Sequence, residues 1–176
     1  MDNKLKIDAK TVALVGVMAA TLECGKLALS FLPNVEVVTL LCALYGYVFG
    51  WLGVAAAVVF VCIEPLIYGF GSWILTYIIY WPLVAFIFML LSRRGVKNRW
   101  LLTVVAVGMT VCFGILSSTI DTAILLGVNG AYFKNLVIYY LRGSVFYIVQ
   151  IVTNGVIFPL IFTFLAEKLR VIKPLS

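Results

Sequence analysis

Residues 73–92 read WILTYIIYWPLVAFIFMLLS, twenty consecutive positions without a charged side chain. A membrane helix needs about 20 apolar residues to cross roughly 30 Å of hydrocarbon, and this stretch fills that length. Measured outward with the same ruler, the chain divides into six spans: 11–31, 36–50, 52–68, 73–92, 100–127 and 136–167. The second and third are short and meet at Phe49-Gly50-Trp51. None of the runs alternates apolar with polar residues, as the strands of a membrane barrel must. The expected fold is therefore an all-α integral membrane bundle of about six transmembrane helices, one domain over residues 1–176.

Composition agrees. Of 176 residues, 64% are hydrophobic, 11% are charged and none is histidine, whereas a soluble domain carries about a quarter charged residues. Too little polar surface remains to face water, so lipid is the solvent. The first run follows Lys4, Lys6 and Lys10, but it is long enough to span and no small-x-small cleavage site follows it. It reads as the first helix. Cys24, Cys42, Cys62 and Cys112 stand alone inside apolar runs, with no CxxC pair. They read as small buried hydrophobes, and neither a disulfide framework nor a metal site is expected.

The net charge of +6 does not point to nucleic acid, because of where the charges lie. Ten of the 13 Lys and Arg residues fall in three places: Lys4, Lys6 and Lys10; Arg93, Arg94, Lys97 and Arg99; and Lys168, Arg170 and Lys173. With six spans all three lie on one side. Positive residues flank the cytoplasmic ends of membrane helices, so both termini are expected inside.

Six other charges, Glu23, Lys26, Glu36, Glu64, Asp121 and Arg142, fall within or beside the spans, and this topology puts each in the outer half. An ionised side chain at the bilayer centre costs about 2.5–3.5 kcal/mol even on a lenient scale. The set therefore needs either local pairing, such as Glu23 with Lys26 and Asp121 with Arg142, or a shared solvated pocket. Helix faces favour the pocket. Thr110, Gly114, Ser117 and Asp121 recur at helical spacing on the fifth span, and Tyr139, Arg142, Phe146, Gln150 and Thr153 on the sixth, with Asn154 beside them. Trp73, Tyr77, Tyr80 and Trp81 cluster at the outer end of the fourth. Aromatic walls with a few convergent polar groups are how small-molecule pockets are built; an interfacial aromatic belt is the competing explanation for Trp73 and Tyr77. The outer connection Tyr68-Gly69-Phe70-Gly71-Ser72-Trp73 reads as a lid or an ordinary turn.

Several chemistries are missing. There is no Gly-rich loop ending in Lys-Ser or Lys-Thr to cradle nucleotide phosphates, and without histidine no Ser-His or Cys-His pair can form. A Glu64–Asp121 carboxylate pair could do acid–base work, but nothing in the spacing favours that over binding, and no enzyme activity or cofactor is expected. No internal repeat is visible, unlike many self-sufficient transporters. On the first helix Ala9, Ala13, Gly16 and Ala20 form a stripe of small residues, which lets helices approach closely in lipid. Its partner is either this bundle or another protein.

The chain resembles the substrate-binding S component of energy-coupling factor (ECF) vitamin transporters. The likeness covers nearly the whole length and rests locally on Leu32-Pro33-Asn34-Val35-Glu36, on Leu44-Tyr45-Gly46 with Phe49-Gly50, and on Trp73 through Pro82. The resemblance implies a plasma-membrane protein of a prokaryote that binds its substrate outside. It also implies a transmembrane scaffold subunit and two ATPase subunits that supply the energy, with small residues of the first helix docking the scaffold. Ala9 with Ala13 fits that spacing literally, and Gly16 with Ala20 fits it with one glycine. Metal-binding members begin with a histidine near the N-terminus, which is absent here, so metal ions are not the expected cargo.

The expected function is capture of a small, ring-containing nutrient such as a water-soluble vitamin. The expected pocket comprises Asn34, Glu36, Glu64, Trp73, Tyr77, Tyr80, Asp121, Tyr139, Arg142, Tyr147, Gln150 and Asn154. On this view Glu64→Ala or Arg142→Ala weakens binding. The alternatives are a self-sufficient transporter or channel and a membrane enzyme.

Overall fold

The computed structural model describes residues 8–172; Lys4, Lys6 and Lys173 of the basic clusters lie outside them. The fold is an all-α membrane bundle. Its helices are α1 (Ala9–Ala28), α2 (Val38–Phe49), α3 (Trp51–Tyr68), α4 (Trp73–Arg93), α5 (Arg99–Leu126) and α6 (Tyr132–Ile157). The last runs through a π-helical turn, Phe158–Phe162, into α7 (Thr163–Ile172). Five stretches are long and apolar enough to cross a membrane, the fifth being the whole of Tyr132–Val171, and α2 is a shorter apolar helix. Large apolar side chains point outward, with Val104 67% and Leu160 70% exposed. In water such a surface would be a liability; against lipid tails it costs nothing.

Both ends of the described chain meet at one end of the bundle. Thr11 of α1 lies across a groove from Trp51. The Tyr47 hydroxyl donates to the Val96 carbonyl in the α4–α5 connection (2.7 Å), and the Arg170 guanidinium sits 5.3 Å over the Tyr47 ring. The described basic residues of all three clusters are thus gathered at this end.

The half of the bundle at this basic end, called the inner half for the side expected from its charges, is closely packed. The α2–α3 reversal turns on one residue, Gly50, whose φ of 63° is left-handed, a conformation only glycine adopts without cost. A Cβ on Gly46 would lie 1.9 Å from the Ala85 carbonyl oxygen of α4, and one on Gly53 would lie 2.2 Å from the Tyr45 carbonyl carbon. The missing side chains let α2, α3 and α4 touch backbone to backbone, as small residues do in membranes. Beneath them Phe158 and Phe162 stack at 5.2 Å against Phe88. Pro159 cannot donate to the helical ladder, which gives the π turn a cause.

Two expectations are corrected. Of the four free cysteines only Cys42 is buried; Cys24, Cys62 and Cys112 are exposed, because each falls on the lipid-facing side of its helix, where an apolar thiol is equally at home. The second span begins later than residue 36: α2 has 12 residues, about 18 Å of helix. It therefore begins near mid-membrane, and the segment between Leu29 and Val37 descends from the outer end to reach it.

Candidate functional site

Asn34 lies in that descending segment. Its φ is 61°, the one left-handed non-glycine among the described residues, and asparagine tolerates this shape better than most. Glu36 follows, just before α2. Its carboxylate accepts from the Thr39 amide (2.8 Å) and the Thr39 hydroxyl (2.6 Å), so it satisfies and charge-complements the N-terminus of a helix that starts inside the membrane. It also accepts from Asn154 Nδ2 of α6 (3.0 Å). The same Nδ2 donates to Thr110 Oγ1 of α5 (3.1 Å), which in turn donates to the Ala106 carbonyl (3.0 Å). Thr110 lies about 17 Å along α5 from Arg99, so this node marks the middle of the bilayer. The Tyr80 side chain faces the node beside Thr39 and Thr110.

A second cluster sits nearer the outside, where α1, α3 and α4 meet. Glu23 lies about 21 Å along α1 and Glu64 about 20 Å along α3 from the inner end, so the two carboxylates share one depth and neighbour each other. Lys26 forms an ion pair with Glu64, which is fully buried, while Lys26 itself is about a quarter exposed. The expected local pairing of Glu23 with Lys26 is thus replaced by a pair between helices. Three rings surround the Lys26 ammonium: Tyr68 at 3.9 Å, Tyr77 at 5.4 Å and Trp73 at 5.9 Å from their centroids. Tyr77 stands between Glu64 and Glu36 and joins the two clusters. Its ring continues through Trp81 (5.4 Å) to Phe113 (6.0 Å) and Tyr147 (6.5 Å). A single aromatic wall therefore runs from Trp73 at the outer rim to Tyr147 on α6.

Along this wall, polar atoms are buried without hydrogen-bond partners in the protein. They are both carboxylate oxygens of Glu23, one of Glu64, the Thr76, Tyr80 and Thr122 hydroxyls, the Trp81 indole N–H, and the carbonyl oxygens of Gln150 and Asn154. Leaving one such group unsatisfied costs about 1–3 kcal/mol, and folded proteins contain few. These atoms are contributed by α1, α3, α4, α5 and α6.

The other expected residues sort as follows. Asp121 accepts from Ser72 (2.5 Å) and Ser117 (3.5 Å), which pins the α3–α4 connection to α5 at the outer surface; it does not pair with Arg142. Arg142 is exposed and makes no ion pair among the described residues. It lies about 18 Å along α6 from the mid-membrane node, far enough for its long side chain to reach the interface. Tyr139 is half-buried and outside the wall; its neighbour Tyr140 packs at a tilt against Tyr147 instead (5.4 Å). The inward stripe of α6 is Gly143, Tyr147, Gln150 and Asn154, turned from the expected one through Arg142 and Phe146, which is 50% exposed. The cause is steric. A Cβ on Gly114 or Gly143 would meet the Tyr147 ring at 2.9 or 2.6 Å, so the two glycines open the slot into which that ring packs, with its hydroxyl 3.2 Å from Ser118.

Sequence reading missed Thr39, Thr76, Tyr68 and the caging of Lys26. Threonine in a membrane helix usually bonds its own backbone and gives no signal. No periodicity announces that a lysine reaches across to another helix.

The small-residue stripe is open. Ala9, Ala13, Gly16 and Ala20 are all exposed, and nothing lies within 4 Å of a Cβ placed on Gly16. The bundle does not use this face for its own packing. Beside it a groove of about 410 Å³ runs between α1 and α3, lined by Val12, Val15, Gly16, Trp51, Ala55 and Val59 among others.

No family model matches the chain, and neither the curated proteins nor the solved structures contain a match.

Proposed function

We propose that this protein is the membrane-embedded binding subunit of an ECF-type importer in the plasma membrane of a prokaryote. It captures a small ring-containing nutrient, of the water-soluble vitamin class, from the outer face. The observation that carries this reading is the buried, unpartnered polar set along the aromatic wall from Trp73 to Tyr147. A ring stacks on the wall, and its substituents exchange hydrogen bonds with Thr76, Tyr80, Gln150 and Asn154. The dense inner half below, closed by the Gly46–Ala85 contact, keeps the solute from passing through the bundle alone. A separate scaffold and two ATPases then supply the inward step, and the exposed stripe of Ala9, Ala13, Gly16 and Ala20 offers them a docking face.

The test is to incubate the purified protein with an equimolar pool of water-soluble vitamins and read the retained masses by native mass spectrometry. One dominant one-to-one adduct is expected. No adduct, from the pool or from the expressing cells, would overturn the proposal. Uptake by the protein alone in liposomes would replace it with a self-sufficient transporter.

A further inference from the structure

The outer cluster has a composition that the solute-capture reading does not by itself require. Two carboxylates, Glu23 and Glu64, share one depth of a low-dielectric bundle. Glu23 is 8% exposed and both its oxygens lack hydrogen-bond partners; Glu64 is fully buried with one oxygen unpartnered. Around them stand Tyr68, Trp73 and Tyr77, with the Lys26 ammonium within 6 Å of all three ring centroids. Ring faces carry negative potential and attract cations most strongly when the cation is desolvated. Carboxylates and ring faces together form a cation cage, and it holds one tethered ammonium.

We infer that the cage is the recognition site for a positively charged group of the solute, with Lys26 as its resident occupant, displaced on binding. This rests on the solute-capture reading and specifies the charge of what is captured: an organic cation such as a quaternary ammonium or a charged nitrogen heterocycle. The physical need for a resident occupant is plain. Buried carboxylates without compensation are strongly destabilising, so a site for a cation must hold one while it waits. Lys26 suits that task. It sits in the last turn of α1, is about a quarter exposed, and its flexible stem can carry the ammonium out to interfacial water. Tyr68, 44% exposed, leaves the cage open toward the outer surface. Exchange of one cation for another keeps the buried charge constant, so a neutral or anionic solute cannot drive it.

The test uses benzyltrimethylammonium as probe, with benzyl alcohol and benzenesulfonate as neutral and anionic counterparts, on the protein in nanodiscs with empty nanodiscs subtracted. Lys26→Met empties the cage and should bind benzyltrimethylammonium about tenfold more tightly than the natural protein by calorimetry. Adding Glu23→Gln should abolish the gain, and the two counterparts should not respond. A second measurement needs no variant. Saturating benzyltrimethylammonium should raise the acetylation rate of Lys26 in the natural protein several-fold, as read by peptide mass spectrometry, while the counterparts leave it unchanged. Tighter cation binding that depends on Glu23, or faster Lys26 acetylation, supports the inference. Equal response to all three probes, or cation binding that leaves Lys26 as protected as before, overturns it. If the protein retains a neutral or anionic nutrient, the cation assignment falls while solute capture stands. If it binds the cation but retains no nutrient, the importer reading falls and the cage stands.

Discussion

The two halves of the bundle solve opposite problems with the same helices. In the inner half α2, α3 and α4 come together through Gly46 and Gly53 until backbones touch, and Phe88, Phe158 and Phe162 fill what remains. Among the described residues, no buried side-chain polar atom there lacks a partner. In the outer half α2 is absent, having started near mid-membrane, and at and above the mid-membrane node lie the aromatic wall and all nine buried side-chain atoms that lack partners among the described residues. A short helix on one side of a bundle thus leaves a seal at one end and, above it, a polar layer beside the aromatic wall. The lesson is that α2's length places the site as surely as any polar residue does.

The largest effect expected from breaking this contrast is on the seal. Gly46→Ala puts a methyl group 1.9 Å from a backbone oxygen that cannot move aside, and should lower stability by about 3 kcal/mol, visible as a fall in melting temperature in detergent. Gly16→Ala, with open space around it, is the control and should be neutral or slightly stabilising. Next comes the polar layer. Glu64→Ala should weaken binding of the retained nutrient by about tenfold or more, since a charge-assisted bond is worth about 1.5–3 kcal/mol, with thermal stability read alongside to separate binding from folding. Tyr147→Phe removes the hydroxyl 3.2 Å from Ser118 but leaves the ring in its glycine slot; it should cost about 1 kcal/mol of stability. Arg142→Ala, outside the polar layer, should leave affinity within about twofold. A large loss there would return Arg142 to the site and contradict the orientation of α6.

The smallest effect is at the inner end. Asp8 caps α1 by accepting from the Thr11 amide (2.8 Å), and that hydrogen bond holds its carboxyl below the usual carboxylate range. The cap is therefore intact above the ordinary carboxylate pKa and is lost as pH falls through the lowered one. Asp8→Ala should speed amide exchange at Thr11 and Val12 without touching solute binding, and acid should lower the protection of those amides relative to an unfolded chain at the same pH.

The fold was legible because the bilayer imposes a length and a polarity that any span must meet. The run from Trp73 onward could be read from composition alone, and the α2–α3 junction from Gly50. The depth of Glu36 was not legible, because a 12-residue apolar helix looks like a poorly delimited span until its neighbours fix where it starts. The face of α6 was misread for a different reason. Polar residues mark a stripe in sequence, but Gly114 and Gly143, which have no side chain to count, determine which face packs. Arg142 was drawn inward by the cost of charge in lipid, although at its depth the interface is within reach. The grouping of Trp73, Tyr77, Tyr80 and Glu64 was legible because clustered rings and an isolated charge are conspicuous in a membrane span.

The most direct measurement is native mass spectrometry of three proteins purified side by side: the natural sequence, Asn154→Leu and Arg142→Ala. If the polar layer between the aromatic wall and the mid-membrane node holds the nutrient, the natural protein and Arg142→Ala carry the same small-molecule adduct and Asn154→Leu has lost it. An adduct that survives in Asn154→Leu and disappears in Arg142→Ala would place binding elsewhere on the molecule.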